Sequence, residues 1–351
     1  MTDHLAEIVE HRLPRLLVSG VDYNDVQLLL SRVRQLKDWR PEWDRMAAMH
    51  EELGDAALAA GNTITAADSF RRAALYYHVG QFVFFNDADE KFAMQLRQQR
   101  AYRKGMAWFR PPTEQVQVSF EHIAFSGNLR RPPDAAKSPC IILMAGADST
   151  KEEFSTLEDE FLKRGLATFS FDGPGQGTTW RQMKLRPDYE KPVAAVLDVL
   201  CKHPKIDTAR FGIWGRSFGG YAAPRAAACD SRLRACVSVG GFYDMGGIWS
   251  RFPASTKETL QFAFGTASEQ DAQRQAQYYT LAGLLDGLTC PLLVVHSGMD
   301  EVCPVAESER IKNEARGATT LAVFPEGNHV CDNIPYKVRP LMADWLAHRL
   351  A

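Results

Sequence analysis

A largely parallel α/β sheet, preceded by a separate helical region, is the fold class that this sequence predicts. Two observations carry it. Beyond about Pro111, short apolar runs recur with helix-compatible stretches between them: Ile141 to Met144, Ala167 to Phe171, Phe211 to Trp214, Ala235 to Val239, Leu292 to Val295 and Leu321 to Phe324. Continuous apolar runs of this length read as strands buried on both faces, the habit of parallel sheets covered by crossover helices. Before Pro111 the apolar residues repeat instead at helical spacing.

In the helical region, residues 1–110, Ala47, Leu53, Ala56, Ala57 and Ala60 mix with charges on one predicted helix. Gly61-Asn62 breaks it. Thr65 to Val83 resumes with Ala67, Phe70, Ala74 and Tyr77 on one face. Trp39, Trp43, Phe82, Phe84, Phe85, Trp108 and Phe109 make this region rich in aromatics, and core packing is the plain account of most. Pro111-Pro112 is the best boundary. In residues 111–351, Val116, Val118 and Phe120 alternate as in a half-buried strand, and Ile123 with Phe125 begins another. The charged, aromatic stretch at about 242–286 interrupts the strand rhythm and reads as a helical cap inserted over the sheet's C-terminal edge.

Bulk properties exclude several classes. The chain has 351 residues, 45% of them hydrophobic, enough for a sizeable core and about two folding units. A formal net charge of -2 gives no electrostatic reason to expect a nucleic-acid partner. No run approaches the roughly 18 apolar residues of a membrane span. The opening Met1-Thr2-Asp3-His4 carries an early acid and no basic region before an apolar core, so a signal peptide is not expected. Seven scattered cysteines without a C-x-x-C pair argue against a disulfide framework or a structural zinc, and for a reducing cytoplasm.

Gly215-Arg216-Ser217-Phe218-Gly219 is the strongest chemical signal. It follows the apolar run Phe211 to Trp214 and precedes a small-residue, helix-compatible stretch from Gly220 to Ala228. That is the strand–turn–helix setting in which G-x-S-x-G presents a serine nucleophile. A glycine-rich turn with an incidental serine shares the pattern, so the reading requires a base and an orienting acid elsewhere.

Both partners occur, in the chain order Ser, acid, His of an α/β hydrolase. Leu292 to Val295 leads into His296-Ser297-Gly298-Met299-Asp300, and Leu321 to Phe324 into Pro325-Glu326-Gly327-Asn328-His329. His329 is expected to accept the Ser217 proton, and Asp300 to orient the imidazole and stabilise its cation. Glu301 and Glu326 are rival carboxylates, with Glu326 read as a solvated loop charge. His296, inside a strand end, reads as a packed histidine.

An oxyanion hole needs two backbone donors. One is expected at Phe218, after the nucleophile, and the other at Ala147 in the turn Ala145-Gly146-Ala147-Asp148 after an early strand. Asp148 is open between a turn former, a substrate-binding group and a proton-transfer group. Ser149 to Glu153 reads as a polar helix start with capping-box character. Asp172-Gly173-Pro174-Gly175-Gln176-Gly177 lacks G-K-[ST] and G-x-G-x-x-G and reads as a structural turn at the sheet's edge. No cofactor motif stands out.

These stretches resemble the 2,6-dihydroxypseudooxynicotine hydrolase family of serine hydrolases, and fungal polyketide-shortening hydrolases are similar. The resemblance lies in Gly146 to Glu153, Phe171 to Gly177, Gly215 to Gly220, Gly298 to Val302, His329 and Met342-Ala343-Asp344-Trp345-Leu346. The helical region, with Val21-Asp22-Tyr23-Asn24-Asp25-Val26, also fits, so most of the chain is covered. The resemblance implies an α/β-hydrolase fold and a helical N-terminal domain helping to close the site. It also implies a Ser217–His329–Asp300 triad without cofactor or metal, a homodimer, and cleavage of a carbon–carbon bond in a ketone.

The expected substrate is thus a small aromatic ketone. The first alternative is a carboxylesterase or amidase acting on a bulky aromatic substrate, because its triad is the same. A second is a non-enzymatic interaction protein built on the helical region.

Overall fold

In the computed structural model the described residues are 2–82, 85, 87–133 and 135–351, without the side chains of 2–8, 10 and 11. The expectations for Val83 and Phe84 lie outside the described residues. The chain forms two compact units, Met1–Glu114 with Glu152–Leu157, and Gln115–Lys151 with Glu158–Ala351.

The first unit is helical: α1 Thr2–Ser19, α2 Tyr23–Leu30, α3 Leu36–Ala59, α4 Thr63–Phe82 and α5 Ala88–Gly105. Asp22 caps α2 by accepting from the Asn24 amide at 2.8 Å. Asp25, on α2, accepts from the Tyr76 hydroxyl at 2.5 Å and lies 2.9 Å from His50 Nε2, joining α2 to α4 and α3. The break at Gly61-Asn62 falls between α3 and α4 as expected. The buried stripe of α3 extends well beyond the alanines read from the sequence. It comprises Trp39, Trp43, Met46, Ala47, His50, Glu51 and Gly54, while Leu53 is 52% exposed. A β-carbon at Gly54 would fall 2.6 Å from the Phe70 ring, so the absence of a side chain there makes room for Phe70 of α4. The polar stretch from Ser149 to Glu153 is buried. Glu153 is buried, accepting from Arg15 Nε and Nη2 at 2.7 and 2.8 Å, and Glu152 accepts from Gln98 at 3.0 Å.

The second unit is built on an eight-stranded sheet in the order β1-β2-β4-β3-β5-β6-β7-β8. The strands are β1 Thr113–Phe120, β2 Ile123–Arg130, β3 Ser138–Met144, β4 Ala167–Phe171, β5 Ile206–Arg216, β6 Leu233–Val239, β7 Leu292–Ser297 and β8 Thr319–Phe324. β2 pairs antiparallel with β4, and every pair from β4 through to β8 is parallel. Each apolar run in the sequence is therefore a strand. β3, β4 and β7 are buried along their whole length. β8 is not, because as the last strand it has a neighbour on one side only, and Val323 is 42% exposed. The helices after the strands are α6 Ser155–Leu162, α7 Glu190–Leu200, α8 Phe218–Cys229, α12 Val305–Glu314 and α13 Pro335–Arg349. Between β6 and β7 the chain inserts α9 Met245–Ile248, α10 Ala254–Phe264 and α11 Glu269–Ala276, the helical cap segment. Tyr243 and Trp249 at its start are core residues, each 2% exposed.

Candidate active site

The backbone at Ser217 is set by the crossing from β5 to α8. Ser217 has φ 54° and ψ -119°, a conformation rare for a residue with a β-carbon. The flanking glycines make room for it. A β-carbon at Gly215 would fall 2.0 Å from the Gly219 carbonyl oxygen, and one at Gly219 would fall 2.2 Å from that of Met144. The Ser217 amide donates to Val239 at 2.9 Å and anchors the turn to β6. The side chain is thereby left at the C-terminal edge of the sheet, only partly covered. Such edges are where open α/β sheets carry ligand sites.

Asp300 follows β7 and His329 follows β8. Their two turns are tied together by the Gly298 amide on Phe324 at 2.8 Å and the Met299 amide on Gly327 at 3.0 Å. His329 Nε2 lies 3.0 Å from Ser217 Oγ, and its Nδ1 lies 2.9 Å from both carboxylate oxygens of Asp300. Asp300 Oδ1 also accepts from the amides of Val302 and Cys303, each at 2.8 Å, which fixes the carboxylate against the ring. Its side chain is 1% exposed, against 16% for His329. Burial alone pushes the Asp300 carboxyl up. The charge and hydrogen bond of the His329 ring, with the Cys303 amide, more than offset this and hold it below the ordinary carboxylate range.

The remaining sequence candidates separate by position. A β-carbon at Gly146 would fall 3.6 Å from Ser217 Cβ and 3.7 Å from Asp148 Oδ1, so the turn after β3 runs beside the serine. Among the described residues, no carbonyl or side chain accepts from the amides of Phe218 or Ala147. Asp148 is half-buried in that turn. Glu301 and Glu326 are exposed, and Glu326 pairs with Lys337. His296 is buried with both ring nitrogens engaged. Nε2–H donates to the Cys303 carbonyl at 2.9 Å, and Nδ1 accepts from the Ser308 hydroxyl at 2.7 Å. Burial lowers its pKa and favours this neutral ring.

Two residues escaped the sequence reading. Arg216, written as x in the motif, is buried and donates from Nη2 to Ser149 Oγ at 3.2 Å, while its Nη1 lies 3.7 Å from Asp332 Oδ2. Gln176 is buried against the turn that carries Ala147. The turn containing Gln176 is not at the sheet's edge, because β4 is flanked by β2 and β3. Among the described residues no group of three His, Cys, Asp or Glu is placed to hold a metal ion, and no helix is long and apolar enough to cross a membrane.

Sheet order, cap and the serine turn after β5 define an α/β hydrolase. The chain belongs to the FrsA-like esterase family, which it matches over residues 8–350. It is 32% identical over 338 residues to the 2,6-dihydropseudooxynicotine hydrolase of Paenarthrobacter nicotinovorans, covering 95% of this chain and 90% of that one. It is 31% identical over 310 residues to the hydrolyase poxO of Penicillium oxalicum, covering 74% and 73%. The crystal structure of the 2,6-dihydroxy-pseudo-oxynicotine hydrolase superposes with a TM-score of 0.90 at 31% identity, over 97% of this chain and 96% of that one. AbyA5, at 18% identity and a TM-score of 0.76, shares the fold. The protein is an enzyme, a hydrolase of this family.

Proposed function

We propose that the protein is a serine hydrolase that cleaves a carbon–carbon bond in an aryl or vinylogous ketone, with Ser217 as nucleophile, His329 as base and Asp300 as orienting acid. The observation that supports it is the hydrogen-bonded row from Ser217 Oγ through His329 to Asp300. Ser217 Oγ adds to the ketone carbonyl as its proton passes to His329 Nε2. The resulting oxyanion is held by the amides of Phe218 and Ala147. The carbon–carbon bond then breaks, its electron pair leaving with the carbon fragment, which takes the proton held by His329, either directly or through Asp148, whose acid form gives a proton and is restored from His329. A hydroxylated aromatic fragment makes this feasible because it delocalises the carbanion as a keto tautomer. Water, deprotonated by His329, adds to the acyl-enzyme, releases a carboxylic acid and restores Ser217. The choice of a ketone rests on the likeness to the dihydropseudooxynicotine hydrolase, 32% identical over nearly the whole chain.

The second reading is a carboxylesterase or amidase, favoured by the esterase description of the matching family. Turnover of an acylated polyhydroxy-aromatic ketone measured beside matched aryl esters separates the two. Faster cleavage of the ketone supports the first reading, and esters alone being cleaved supports the second. The first reading also carries a homodimer in the cytoplasm. Sedimentation of the purified chain as a monomer at micromolar concentration would remove the dimer.

A further inference from the structure

The turn Asp172 to Gly177 bears on the oxyanion site. Gln176 is 2% exposed, and its side-chain amide donates twice, to the carbonyl of Ala145 at 3.1 Å and to that of Gly146 at 2.9 Å. The amide cannot be flipped without loss, because its Oε1 accepts from the Tyr189 hydroxyl at 2.7 Å and the Gly173 amide at 3.3 Å. Tyr189 is fully buried at the N-terminus of α7. A trans peptide is planar, with its N–H pointing opposite to its C=O. Holding the Gly146 carbonyl therefore aims the Ala147 N–H away from Gln176, and holding the Ala145 carbonyl does the same for Gly146. Lys151 anchors the far end of the same turn: its amide donates to Asp172 Oδ1 at 2.7 Å and its ammonium to Oδ2 at 2.8 Å.

We propose that Gln176 is a positioning residue for the oxyanion hole, setting the Gly146–Ala147 peptide plane so that the Ala147 amide faces the oxygen that becomes charged. This rests on the Ser217 reading above. Its physical logic is preorganisation. A donor already aligned costs no reorientation as charge develops, so misaligning it slows bond formation while leaving ground-state binding in place.

The test uses the full chain and a fluorophosphonate, whose phosphoryl oxygen occupies the oxyanion position as Ser217 adds. Saturation kinetics separate the limiting rate of labelling from the half-saturating concentration. Gln176→Met keeps length and volume without the donor. It is expected to lower the limiting rate by about 10- to 100-fold, below the loss for deleting a donor outright, with half-saturation within about threefold. Tyr189→Phe leaves Gln176 in place and unpins its Oε1, and a loss of about 3- to 10-fold with the same split is expected. It decides the matter should Gln176→Met not fold. An unchanged limiting rate in the folded variants, with Ser217 labelled in the native chain, overturns the proposal alone. So does a loss seen only in half-saturation, the pattern of a merely structural residue. No labelling of Ser217 in the native chain overturns the nucleophile reading and this proposal together.

Discussion

Lys151 and Asp172 form a buried ion pair, 2.8 Å from Nζ to Oδ2, with side chains 2% and 3% exposed. It joins the loop after β3 to the turn after β4, next to the Gln176 contacts. Removing one partner of a buried pair leaves the other charge unsolvated. Lys151→Met is expected to cost about 3–5 kcal/mol, read as a lower urea midpoint at unchanged slope.

Ser217→Ala tests the proposed nucleophile directly. Ketone turnover is expected to fall to background, about 10⁶-fold, while the urea midpoint stays near that of the native chain. Retained ketone cleavage would sink the proposed mechanism.

Asp300→Asn tests orientation without changing shape. An amide in place of the carboxylate favours the wrong tautomer of His329, and kcat is expected to drop about 10⁴-fold with little change in KM.

The same residue shapes the acid response. Its carboxyl pKa is lowered in the folded chain, chiefly by the facing His329 ring acting against burial. A lowered folded value means that its contribution to stability is present above the unfolded value, about 3.9, and is lost as pH falls through the folded value. The stability gap between the native chain and Asp300→Asn should therefore shrink as pH falls below about 4. A gap that widens on acidification would contradict this.

Gly219→Ala probes the serine turn by sterics. The new β-carbon would lie 2.2 Å from the Met144 carbonyl oxygen, which is backbone and cannot swing aside. A loss of about 1–3 kcal/mol in urea unfolding is expected, with Ser217 labelling slowed as the turn shifts.

Much of the fold was legible because it rests on local pattern. Beyond Pro111, β3 to β8 announced themselves as apolar runs, β1 as an alternating stretch, and the helical insertion between β6 and β7 as a gap in the rhythm. Which face of α3 is buried was not legible: Ala47 is fully buried and Leu53, on the same helix, is 52% exposed, because residue spacing along one helix does not say where its neighbour packs. β8 reads like its neighbours in composition; only its place at the end of the sheet exposes one side.

The sequence by itself determined the order of elements, the G-x-S-x-G turn and the acid and histidine that follow the last two strands. These depend on residue type and spacing along the chain. Tertiary structure decided which groups meet: His329 with Ser217 across 112 positions, Gln176 with the carbonyls of Ala145 and Gly146 across about 30, and Arg216 with Ser149 across 67. No periodicity encodes such contacts. They arise because parallel strands deliver their C-terminal turns to one edge of the sheet, where backbone polar groups and buried charges must find partners.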